Sequence, residues 1–254
     1  MTAFKTLMKM NMKRRLCDGF ILGYNIIFPA ILIGLLGVLG RNGSYGGITS
    51  YQYYGVVMIP FSILMAVITV AYAGKDDAFA KTAERILVAP VSSNMLVMVK
   101  VISCSIAIFL YSMLLYLAVS WIVGFSWKYL IHVGILFLTL SFCVAAIGTH
   151  VAVGMKNFLF LKNVLNIPIM LFAVLGGIFF RIGTLHPVAA FALDLSPLRW
   201  INRCLFMLLY DDTASLWMHI NLVLLAAGIL FTCMAILKFK KGEYIDGNLP
   251  SYEK

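Results

Sequence analysis

Residues Leu130–Val153 read LIHVGILFLTLSFCVAAIGTHVAV, with no Asp, Glu, Lys or Arg among them. A helix rises about 1.5 Å per residue and the hydrocarbon core of a bilayer is about 30 Å thick, so roughly 20 apolar residues cross it. This stretch is long enough. Outward from it lie five more of the same kind. Phe20–Gly40, Tyr53–Ala73 and Leu96–Val123 precede it, and Phe158–Phe180 and Trp217–Leu237 follow it. In lipid the backbone groups must be satisfied inside the segment, so all six are read as helices. The alternation of a transmembrane barrel is missing.

Composition agrees. Of the 254 residues, 62% are hydrophobic and 12% charged, where a soluble domain carries about 25% charge. The mean hydropathy is +0.97. A soluble fold of this size has too little interior to hide so much apolar surface. The expectation is one all-α integral membrane domain over residues 1–254. The net charge of +10 does not point to nucleic acid, because the basic residues cluster beside apolar spans and form no stripe.

Six spans place both termini on one side, and Lys and Arg choose which. Fifteen of the twenty, among them Lys5, Lys9, Lys13, Arg14, Arg15, Lys75, Lys100 and Lys238, fall on the side of the termini. That side is read as cytoplasmic. Arg41, Lys128, Arg181, Arg199 and Arg203 fall on the other. Residues 238–254 read as a cytoplasmic tail. No cleavable signal peptide is expected, since the apolar run after Asp18 is too long and has no small-residue cleavage site.

Three segments do not span. Thr2–Leu16 sets Phe4, Leu7, Met8, Met12 and Leu16 against Lys5, Lys9 and Lys13, the pattern of an amphipathic helix on the membrane surface. Residues 76–92 hold Asp76, Asp77, Glu84 and Arg85, then Leu87, Val88 and Pro90. They read as a short cytosolic helix stopped by proline, with charge and apolar surface to offer a protein partner. Residues 181–212 carry Pro187, Pro197 and apolar runs too short to span, which suits a re-entrant hairpin on the outer side.

The five cysteines are dispersed and form no CxxC pair. They read as core filling, and no metal site is expected. His132 and His150 sit near the two ends of the Leu130–Val153 span and read as interface or hydrogen-bonded residues. Trp121, Trp127, Tyr129, Trp200 and Trp217 fall at outer boundaries, where aromatic belts form.

The loop Thr82-Ala-Glu-Arg-Ile-Leu-Val-Ala-Pro-Val-Ser92, followed by Lys100, resembles the coupling-loop signature of the ATP-binding-cassette type-2 (ABC-2) exporter permeases. So does Leu175-Gly-Gly-Ile-Phe-Phe180, then Leu185-His-Pro187, then Ser196-Pro-Leu198 with Arg203. The two motifs occur in the family's order, and together with the basic N-terminal helix and the six spans the resemblance covers nearly the whole chain. Ala83, Ala89, Val99 and Ser196 depart from the family pattern. The resemblance implies two permease chains in the lipid bilayer above two cytosolic ATPase subunits, which bind ATP and Mg. It implies that Asp76, Asp77, Glu84, Arg85, Leu87, Val88 and Pro90 couple to the ATPase. The chain itself lacks a G-x-x-x-x-G-K-[ST] loop, so it is read as a permease without catalytic residues.

The resemblance further implies a substrate path between the two chains, along the first, second and fifth spans. Asn25, Ser62, Thr69, Asn163, Asn166 and Phe179 are its candidate lining, with Pro29, Pro60 and Pro168 disturbing the helices nearby. Phe180, Arg181, Pro187 and Pro197 are the candidate outer gate. So apolar a conduit suits an amphiphilic drug or a hydrophobic or antimicrobial peptide, in a prokaryotic plasma membrane. A lipid or glycan exporter is the alternative. A secondary transporter or a membrane scaffold is the rival of another class. A secondary transporter usually keeps an ionisable group at mid-membrane, and none lies centrally in any span.

Overall fold

The computed structural model describes residues 2–43, 47–80, 82–88, 91–154, 158–178 and 193–239, and omits the side chains of 2, 78, 79, 84, 85, 87, 154 and 158–164. All regular structure among these residues is helical. Helix α1 covers Thr2–Leu16. The first crossing is composite: α2 (Gly19–Leu22), a π-helical turn (Gly23–Ile27) and α3 (Phe28–Leu39). There follow α4 (Ser50–Phe79), α5 (Ala83–Val88), α6 (Ser93–Val123), α7 (Leu130–Gly154) and α8 (Phe158–Leu175). The last two are α9 (Pro197–Leu209) and α10 (Trp217–Lys238).

Among the described residues, five helical stretches are long and apolar enough to cross a membrane: Gly19–Asn42, Ser50–Asp77, Ser93–Val123, Leu130–Val153 and Trp217–Lys238. The fifth expected span, Phe158–Phe180, corresponds to α8, within which Leu165–Leu175 is a shorter apolar helix. Phe179, Phe180, Arg181 and Pro187 lie outside the described residues. So the outer gate is represented here by Pro197 alone. It occupies the first turn of α9, where a missing N–H leaves no helical bond unmade.

Helix α4 is the axis of the bundle. Of its most apolar window 89% is buried, against 28–56% for the other crossings. It is apolar on every face, as a helix enclosed by others is. Lipid offers no hydrophobic drive between helices, so close approach of small residues holds them. Gly148 of α7 lies against Val70 and the Val67 carbonyl, and Gly74 of α4 lies against Ala152. Gly228 of α10 admits the Phe142 ring of α7. Polar bonds add to this seam: Thr139 meets Asn221 at 2.6 Å, and Trp217 donates to the His132 carbonyl at 2.8 Å.

One expectation is corrected by the fold, and another takes a definite form. The helix expected over 76–92 is two pieces. Helix α4 runs past Ala73 to Phe79, and the short helix is only Ala83–Val88. The charges at Asp76 and Asp77 do not end the span, because three cations reach them. At Pro29 the disturbance takes the form of the π turn. Proline has no N–H to return to the carbonyl four residues back, and the Phe28 N–H bonds the Gly23 carbonyl instead.

Candidate functional site

At the basic end, three helices and the start of the first crossing meet through buried ions. Asp77 is 2% exposed. One of its oxygens accepts from Arg14 of α1 at 2.8 Å and the other from Lys100 of α6 at 2.7 Å. The Lys100 ammonium also donates to the Gly74 carbonyl at 2.8 Å. Arg15, likewise 2% exposed, pairs with Asp76 of α4 and, at 2.9 Å, with Asp18. Asp18 caps α2 by accepting from the Phe20 N–H at 2.9 Å. Burial opposes the charge of Arg15, but the Asp76 and Asp18 carboxylates beside it outweigh that, and the guanidinium pKa lies above its usual value.

This cluster is joined directly to α5. The Asp77 carbonyl accepts the Thr82 N–H at 2.9 Å, and the Thr82 carbonyl accepts from Ile86 in α5. Ala83 is buried, while Val88 at the other end of α5 is 88% exposed. The side chains of Glu84, Arg85 and Leu87, and all of Pro90, lie outside the described residues. Asp76 and Asp77 were expected to face a partner. The structure turns both inward to Arg14, Arg15 and Lys100 instead. A lysine that enters a span is costly unless paired, and that cost is a signal in the sequence that Lys100 has a carboxylate opposite.

The first, second and fifth crossings enclose an open groove of about 510 Å³, lined by Gly19, Phe20, Gly23, Tyr24, Phe28, Met65 and Met170. These are the crossings expected to line the path, but the lining residues differ. Asn25 is wholly buried, and its amide donates to the Ile21 carbonyl at 2.9 Å. Ser62 and Thr69 are buried too, bonded back to Ile59 and Ala66 of their own helix. A hydroxyl that satisfies itself on the preceding turn does not need a channel. Asn166 of α8 is half-buried, and the Asn163 side chain and Phe179 lie outside the described residues. In their place stands an aromatic ladder at helical spacing. Phe20 and Tyr24, and Tyr24 and Phe28, each have ring centroids 6.2 Å apart.

At the far end, α8 stops in a left-handed cap. Gly177 has φ +73°, and Ile178 donates back to the Ala173 carbonyl at 3.1 Å. Only glycine adopts that conformation without strain. The carbonyls left over are met by other helices. The Tyr53 hydroxyl of α4 donates to Gly177 at 2.6 Å, Asn202 of α9 donates to Gly176 at 3.2 Å, and Ser196 donates to Phe172 at 2.8 Å. A Cβ at Gly176 would meet the Phe172 carbonyl at 2.8 Å. So α4, about 45 Å long for its 30 residues, holds the ion cluster at one end and the α8 cap at the other.

Tyr53→Phe is expected to loosen that cap. It removes a buried hydrogen bond worth about 0.5–1 kcal/mol. In a chain whose only cysteine is the buried Cys204 of α9, maleimide labelling should quicken about two- to fivefold. An unchanged rate would deny the tie.

An all-helical, multi-pass chain with an enclosed central helix and an apolar groove between crossings is a membrane permease in form. Residues 2–210 match the ABC-2 type transporter family, and the chain belongs to it. No curated protein sequence matches it significantly. The match covers α1 through α9, and therefore the ion cluster, the groove and the α8 cap together.

Proposed function

We propose that this chain is the membrane subunit of an ATP-driven exporter that carries an amphiphilic molecule, a drug or a hydrophobic peptide, out of the cell. Separate cytosolic ATPase subunits dock on α5 and hold ATP with its Mg²⁺, and a second permease chain completes the path. The termini face the cytoplasm. The observation that carries this reading is the continuity of α4. One continuous helix, with Pro60 inside it, joins the loop bearing α5 to the groove wall at Met65 and to the α8 cap at Tyr53. A displacement at α5 then has a continuous route to both, as two-state gating needs. The groove supports an amphiphilic cargo, since its lining is aromatic and thioether with little polar surface.

The test is co-purification. The tagged chain should bring down a cytosolic subunit with a phosphate-binding loop, and Val88→Asp should abolish that recovery. Val88 is exposed, so the variant folds, and the aspartate puts a charge where an apolar contact is expected. Recovery of the chain alone under mild conditions, or equal recovery with Val88→Asp, would sink the reading.

A further inference from the structure

The ion cluster divides the basic residues of α1 into two populations. Arg14 and Arg15 are consumed by Asp77, Asp76 and Asp18. Lys5, Lys9 and Lys13 are exposed, and they make no ion pair among the described residues. Each is four residues from the next, so they share one side of the helix. Asn11 and Arg15 are buried and point roughly 200° away from Lys9 and Lys13, into the bundle. The lysine face is therefore presented outward by the packing of α1.

Beside this face an open groove of about 480 Å³ runs between the start of α1 and the start of α6, lined by Phe4, Lys5, Asn94, Met95 and Met98. Its floor is apolar, and among the described residues its one charge is the Lys5 ammonium and no carboxylate lines it. Its depth follows from helix length. Helix α6 has 31 residues and measures about 46 Å, some 16 Å longer than the hydrocarbon core, so its first turns overlap the headgroup layer. Met98, in the second turn of α6, is 40% exposed.

We infer that this groove is a binding site for an anionic phospholipid, with the phosphate on Lys5 and Lys9 and an acyl chain laid along Met95 and Met98. The complementarity is twofold: unpaired cations above, apolar floor below, at the depth where a phospholipid changes from one to the other. A soluble phosphate matches only the upper half. The acidic surface of a protein would leave the thioether floor unfilled. The inference requires only that the basic end lie at a membrane surface, and it stands apart from the proposed coupling to an ATPase.

Native mass spectrometry of the full chain in detergent tests it, with dioleoyl phosphatidylglycerol and dioleoyl phosphatidylcholine as probes. The wild type should retain one phosphatidylglycerol in preference to phosphatidylcholine. Lys5→Gln and Lys9→Gln should each lower that retention about fivefold. Met98→Asp should lower it as well, by placing a charge under the acyl chain. Lys128→Gln at the far end should leave it unchanged. All four positions are exposed, so unfolding midpoints should match the wild type. Equal retention of the two lipids overturns the inference, as does displacement of phosphatidylglycerol by millimolar glycerophosphate. So does a Lys5→Gln/Lys9→Gln chain that keeps its lipid yet releases a co-purifying protein, for the lysines would then be a protein-docking face.

Discussion

Asp77→Ala is expected to destabilise the bundle by about 3–5 kcal/mol, the usual result of breaking a buried ion pair on one side only. Arg14 is partly exposed and its guanidinium swings out to solvent. Lys100 has no such exit, because its ammonium lies among Asp77 and the Ala73 and Gly74 carbonyls. The loss is therefore mostly the cost of a stranded ammonium, and removing that ammonium should return much of it. The double variant Asp77→Leu/Lys100→Met, apolar and similar in volume, should recover most of the stability, since well-packed apolar pairs replace buried ion pairs at little cost. Thermal unfolding in detergent measures both, with a fall on the order of 10 °C for the single variant. A single variant within about 1 kcal/mol of wild type would sink the argument. So would a double variant no better than the single one. If α5 takes its position from this cluster, the double variant, though stable, should still transport poorly, because Arg14 has lost its tie to α4.

Gly148→Ala should cost about 1–3 kcal/mol, a large penalty for one methyl group, and Gly148→Leu should prevent assembly. A Cβ at Gly148 would meet Val70 Cβ at 2.6 Å and the Val67 carbonyl at 2.8 Å. Neither neighbour yields: one is backbone, and the other is a β-branched side chain that is stiff in a helix. The only relief is to move α7 away from α4 and forfeit the contacts around it. Gly34→Ala is the control. It is equally helical, but nothing lies within 4 Å of its added Cβ. There alanine gains about 0.5–1 kcal/mol, because glycine in a helix is entropically poor. The two substitutions should move the unfolding midpoint in opposite directions. Equal shifts would mean that the α4–α7 seam does not set the stability.

The sequence made the crossings legible because lipid imposes so simple a demand, about twenty apolar residues in a row. Five of the six read in this way correspond to helices of sufficient length. The ion cluster was not legible. Its members are residues 14, 15, 18, 76, 77 and 100, and nothing local marks Asp77 as the partner of Lys100. Each of those charges also has a local explanation, as a topology signal or a coupling contact, that hides the distant one. Span boundaries at Ala73 and Leu96 were drawn where hydropathy falls, but the helices continue to Phe79 and begin at Ser93, since paired charges extend a helix at no penalty. The lining of the groove was hidden for another reason. Polar residues were sought as its lining, and Ser62 and Thr69 satisfy themselves on their own helix. The aromatic ladder at Phe20, Tyr24 and Phe28 was visible by spacing alone.

The ion cluster also sets an order on the birth of the molecule. Arg15 leaves the ribosome 85 residues before Lys100, roughly 4–17 s at ordinary rates of synthesis. For the first 60 of those residues Asp76 and Asp77 are absent too, so both arginines stay solvated and keep α1 at the membrane surface as fixed positive charges do. Once the third crossing is inserted, the same arginines leave water for carboxylates and the amino-terminal helix becomes part of the bundle. A nascent chain halted before Asp76 therefore carries a loose α1, open to proteases.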